Sequence, residues 1–147
     1  MEVVPFAQQW LAEWRTAKWS VATDRLRDAI RDDPEVAWSL IGQLVATASD
    51  DEDLDMIGAG PLEDLLCDHG PLFIDRVEKL AVSDRGFRRS LADVWGWNRM
   101  DEQVRSRLDD ALRRAFALKN WRCPACDRPF TLGLSAGSCR ECGTELK

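Results

Sequence analysis

Apolar residues recur three and four positions apart along most of this chain, which is the period of an α-helix. Phe6, Trp10 and Trp14 fall four apart with Leu11 beside them, and Pro5 stands where a helix can open on a proline. A short helix over Thr23 to Ile30 turns Leu26 and Ile30 inward. Asp33-Pro34 is a start signal, an N-cap residue followed by proline at the first helical position. After it Val36, Leu40, Ile41, Leu44, Val45 and Ala48 repeat at helical spacing.

The pattern continues through residues 58–81, where Gly60-Pro61 and Gly70-Pro71 each read as one helix ending on glycine and the next opening on proline. Leu62, Leu65 and Leu66 face inward on the first of these helices, and Phe73, Val77 and Leu80 on the second. Ser83 then caps a helix carrying Phe87, Leu91 and Val94-Trp95. A final helix over about 101–118 aligns Val104, Leu108, Ala111, Leu112 and Ala115. Short helices on tight turns imply antiparallel neighbours. The expected fold is therefore all-α over residues 1–119, as HEAT-like stacked pairs or as an irregular bundle. No clean repeat at a fixed period supports the stack.

One interruption is SDDEDLD, residues 49–55, with five acids in six positions. The expectation is a solvated loop entering a helix N-terminus, where carboxylates suit the dipole. The alternating oxygen ligands, turn glycine and terminal glutamate of a calcium loop do not stand at the required offsets.

The core IGAGPLEDLLCDHG, followed by a helix and then SDRGFRRSLADVWGW, resembles an uncharacterised bacterial helical domain family of unknown function. The resemblance covers roughly residues 30–110, and AGPLEDLL with its downstream HG is the most specific part. It implies a helical fold and a bacterial origin and carries no activity.

The last stretch follows different rules. CPACDRPFTLGLSAGSCREC holds two Cys-x-x-Cys pairs, Cys123 with Cys126 and Cys139 with Cys142. Pro124 stiffens the first turn, and Gly143 follows the second, where a positive φ is commonly needed. Phe130, Leu132 and Leu134 alternate as on one strand face, and Gly133 and Ala136-Gly137 offer a turn. The layout over 120–147 resembles a small β zinc ribbon, which implies structural Zn²⁺ held by Cys123, Cys126, Cys139 and Cys142. Four thiolates close a tetrahedral site and leave no position for water. Spacing alone leaves an iron centre open. A redox Cys-x-x-Cys would want a βαβ setting, and that pattern is missing.

Charge narrows the partners. Residues 1–120 hold 23 acids against 16 bases, and residues 121–147 hold 3 against 4. Such a body repels a phosphate backbone and suits a basic protein. Four thiolates and one Zn²⁺ leave even the tail slightly negative, although Arg128 and Arg140 could touch phosphate locally. MEVVPFAQQWLAEW lacks the basic and apolar regions of a signal peptide, and no stretch approaches the length of a membrane span. A cytoplasmic protein with reduced thiols is the expectation.

Candidate chemistry outside the tail is sparse. Cys67, Asp68 and His69 form a short cluster, but Cys67 and His69 at i, i+2 do not share a helix face. Cys67 reads as a small core hydrophobe, and His69, one residue before Gly70, as complementing a helix C-terminus. Glu63 and Asp64 suit a first helical turn, with no base or nucleophile at readable spacing. No enzyme is expected. The tryptophans Trp10, Trp14, Trp19, Trp95 and Trp97 read as packing residues or an exposed patch, and Trp121 as packing the ribbon on the last helix. The chain reads as a non-catalytic protein-interaction module. The alternatives are an immunity or antitoxin-like protein that neutralises a basic toxin, and a nucleic-acid accessory factor using the ribbon.

Overall fold

In a computed structural model of the chain, residues 5–18 and 21–115 are described. They form seven α-helices and two short irregular turns of helix, and no strand occurs among them. The helices are α1 (Phe6–Thr16), α2 (Val21–Asp32), α3 (Pro34–Thr47), α4 (Asp51–Ile57), α5 (Glu63–Ser83), α6 (Arg85–Ala92) and α7 (Glu102–Ala115). The 120–147 ribbon, the 119/120 boundary, Trp19 and Trp121 lie outside the described residues.

The stripes bury as expected at most positions. Trp10 and Leu11 of α1, Leu26 and Ile30 of α2, and Leu40, Ile41 and Leu44 of α3 enter one core. On α3 the stripe is rotated slightly: Ala37 is buried and Val36 is 42% exposed. The long helix α5 is the hub. It packs against α2, α3, α6 and α7, and Leu65, Leu66, Phe73 and Val77 vanish from solvent along it. Gly70 lies against Val104, and Glu78 further along meets Arg107 and Arg114, so α5 and α7 run in the same direction.

Starts and stops were legible in part. Pro5 precedes α1 rather than opening it. Asp33 caps α3 and accepts from the Val36 amide at 3.4 Å. Asp84, not Ser83, caps α6, accepting from the Phe87 amide at 3.0 Å, while Ser83 ends α5 and bonds back to the Lys79 carbonyl. A carboxylate is the stronger partner for orphan amides at a helix's positive end.

Gly60-Pro61 does not separate two helices. Gly58–Leu62 is a single wide π turn that joins α4 to α5, with Pro61 inside it. The Glu63 amide reaches back to the Gly58 carbonyl, five residues away, and the wider ring makes room for a proline that an α turn would reject. At Gly70-Pro71 the chain does bend: His69 takes φ −137°, ψ 20°, and the helix kinks there.

The acidic run is not a wholly solvated loop. It forms α4, capped by Asp50, and Asp53 is only 1% exposed at its side chain. Asp53 pairs with Arg15 from α1 and accepts from the Ser49 amide at 2.9 Å and hydroxyl at 3.0 Å. Burial pushes its carboxyl upward, but the Ser49 amide, the Arg15 guanidinium and the Ser49 hydroxyl outweigh it and hold the carboxyl below its usual range. Asp53 therefore releases its proton at lower pH in the fold than in the unfolded chain. Its contribution is complete above the unfolded value, about 3.9, and is lost as pH falls through the folded value. Asp53→Ala is expected to cost about 2–4 kcal/mol at neutral pH. Urea unfolding at pH 7 and below pH 4 checks this, because the gap between variant and parent should narrow in acid.

Glu13, also buried, plays a similar part at the start of α2. Its carboxylate accepts from the Ala22 amide at 3.1 Å, the Thr23 amide at 3.0 Å and the Thr23 hydroxyl at 2.9 Å. It stands three positions after Trp10, at the edge of the apolar stripe, which is the trace it leaves in the sequence.

Candidate functional site

The chemically suggestive residues Glu63, Asp64, Cys67, Asp68 and His69 all lie at the start of α5, facing two different neighbours. Glu63 and Cys67 are one turn apart, so they share a face, and the segment after α6 folds across them. Glu63 Oε1 accepts from the Trp95 amide at 2.7 Å, and Cys67 Sγ donates to the Gly96 carbonyl at 3.3 Å. Arg99 spans the outside, 3.8 Å from Glu63 and 3.6 Å from Asp64. The fit leaves no room at Gly96. A Cβ there would stand 2.7 Å from Cys67 Sγ and 3.0 Å from Glu63 Cγ.

The electrostatics are those of a closed seam. Burial pushes the Cys67 thiol up to about 11, opposed by the Arg99 guanidinium and helped by Glu63, Asp64 and Asp68. Such a thiol is protonated at neutral pH and is a poor nucleophile. Loss of exposure also raises the Asp64 carboxyl, against the pull of Arg99.

His69 turns to the other neighbour. Its Nε2–H donates to the Ile30 carbonyl at 2.7 Å. Ile30 lies in the last turn of α2, where carbonyls lack helical partners, so His69 does serve a helix C-terminus, but that of α2 rather than its own. The structure thus separates His69 from the Cys67 face. Asp68 remains exposed.

No three His, Cys, Asp or Glu side chains gather as a metal site among the described residues. The predicted ligands Cys123, Cys126, Cys139 and Cys142 lie outside those residues. No helix among them is long and apolar enough to cross a membrane. Of the tryptophans, Trp10 is core, Trp14 packs against it, and Trp95 is 40% exposed. An open groove between α5, α6 and α7 is lined by Glu78, Lys79, Val82, Arg88, Ala111 and Arg114. Its two arginines are engaged: Arg114 lies 3.8 Å from Glu78, and Arg88 donates to the Ala81 and Val82 carbonyls.

Sequence reasoning missed Gly96 and Trp95 as partners of this face, because a contact between two segments leaves no periodic trace in either. A family model described as "Family of unknown function (DUF6869)" matches residues 8–116. No curated protein matches the chain, and no solved structure does.

Proposed function

The chain belongs to this family of unknown function, and from that premise we propose that it is a non-catalytic protein-interaction module with a structural zinc ribbon at its C-terminus. The observation that supports the reading is the use made of Glu63, Cys67 and His69. Each is bonded to a main-chain group, and each ties a segment or a helix end in place. Acid–base or nucleophilic work asks for a tuned group facing a substrate cleft. Here the thiol is pushed away from ionisation, the carboxylate holds an amide, and the imidazole holds a carbonyl.

In this reading Cys123, Cys126, Cys139 and Cys142 hold one Zn²⁺ as a scaffold, in reduced, cytoplasmic conditions. The helical surface does the binding. A net charge of −6 favours a basic protein, through faster encounter and rejection of acidic competitors. Neutralisation of a basic toxin is the specific form of this reading that the charge favours. Nucleic acid is disfavoured, since Arg15, Arg31, Arg76, Arg89, Arg107 and Arg113 are each paired with acids of the same chain.

Affinity capture with the full chain, from cells that encode it, tests the reading. A basic protein should be retained in near-stoichiometric amount and released by salt, and Glu63→Gln should leave that retention unchanged. A saturable turnover that disappears in Glu63→Gln or His69→Gln would replace this reading with an enzyme.

A further inference from the structure

A small opening of about 90 Å³ lies between α3, the end of α5 and the start of α6. Trp38, Gly42 and Val45 line it from α3, Leu80 from α5, and Asp84 and Phe87 from α6 and its cap. Aromatic rings form part of its wall. The Trp38 indole stacks on Phe73 with centroids 5.2 Å apart, and Phe87 meets it edge-on at 5.7 Å. These pairings hold the rings in place.

One carboxylate borders this apolar space. Asp84 Oδ1 caps α6 through the Phe87 amide at 3.0 Å. Oδ2 has no hydrogen bond or ion pair among the described residues. Two arginines of the adjoining helices are committed elsewhere. Arg76 covers the Phe73 ring at 5.1 Å and pairs with Glu35, and Arg88 donates to the Ala81 and Val82 carbonyls.

Gly42 lies inside α3, where glycine costs about 1 kcal/mol relative to alanine. No turn or close approach there demands it, because a Cβ would meet nothing within 4 Å. What the missing side chain does is leave the opening uncovered.

We propose that this opening receives an alkylammonium side chain, a lysine from a basic protein partner. The proposal rests on the interaction-module reading and deepens it. The lysine stem would lie along Val45 and Leu80, and its ammonium would meet Asp84 Oδ2. A neutral side chain would shield the Asp84 charge from water without pairing it, and an anion would be repelled.

The test uses the ¹⁵N-labelled full chain and the neutral-ended peptide acetyl-Ala-Lys-Ala-amide, reading the Trp38 indole signal identified by its loss in Trp38→Phe. The expected result is a saturating shift that weakens with salt, and no shift from the peptide with norleucine in place of lysine. Gly42→Leu closes the mouth with a better helix former, so it should abolish the shift while the melting temperature holds or rises. Asp84→Asn keeps a competent N-cap and should weaken binding by about tenfold. Equal shifts from norleucine, tighter binding when arginine replaces lysine in the peptide, or undiminished binding in Gly42→Leu would each overturn the proposal. Partner capture by Gly42→Leu at the parental level would overturn it while leaving the interaction-module reading in place.

Discussion

Gly58→Ala should cost the helical domain at least about 3 kcal/mol, or prevent it from folding. A Cβ at this position would stand 1.8 Å from the Ser90 carbonyl oxygen and 2.8 Å from its carbon. Both are main-chain atoms, so no rotamer change relieves the clash. Relief requires α6 to move away from α4, and that movement breaks the bond from the Ser90 hydroxyl to the Leu54 carbonyl, 2.9 Å in the parent. Ser90 is fully buried, so its polar groups would be left without partners. Gly60→Ala is the matched control two residues on, where an added Cβ meets nothing within 4 Å. Urea unfolding followed by circular dichroism should show Gly60→Ala near the parent and Gly58→Ala far below it. Equal midpoints for the two variants would show that the α4–α6 contact is looser than described.

Cys126→Ser should have the other large effect, confined to the tail. Under the zinc proposal, one of four thiolates is lost from a closed site, and metal binding in small modules of this kind is worth on the order of 10–16 kcal/mol. A segment as short as residues 120–147 has too little core to fold without that contribution. The expected result is bound zinc falling from one equivalent toward zero by elemental analysis, and trypsin cutting after Arg122 and Arg140, with the helical signal unchanged. Cys67→Ser should keep its zinc, since Cys67 Sγ is engaged with the Gly96 carbonyl. A tail that resists trypsin after chelation would end the scaffold assignment.

What could be read from the chain, and what could not, divides by range. Asp33-Pro34 and the stripes on α1, α2, α3 and α7 depend on neighbours within a turn or two, and they were legible. Gly60-Pro61 looked identical in kind to Gly70-Pro71, yet only the second marks a bend. The first enters a π turn whose opening glycine, Gly58, lies against the Ser90 carbonyl from a distant helix, a contact that neither dipeptide reveals. Asp53 looked like the acids around it, and what singles it out is Arg15, on another helix. The motif AGPLEDLL acquires a physical meaning in the same way. It encodes the π turn, the inward leucines and the carboxylate that holds Trp95. At the candidate site, the i, i+2 spacing already separated Cys67 from His69. The partners that occupy them, Gly96 and Ile30, come from distant segments.

The place of α5 bears on how the protein comes into being. During synthesis α5 emerges from the ribosome ahead of α7, with the surface that will pack against α7 still facing water. Native closure is therefore deferred until α7 has emerged as well. Until then the nascent protein presents an oily ridge to the chaperones that meet it.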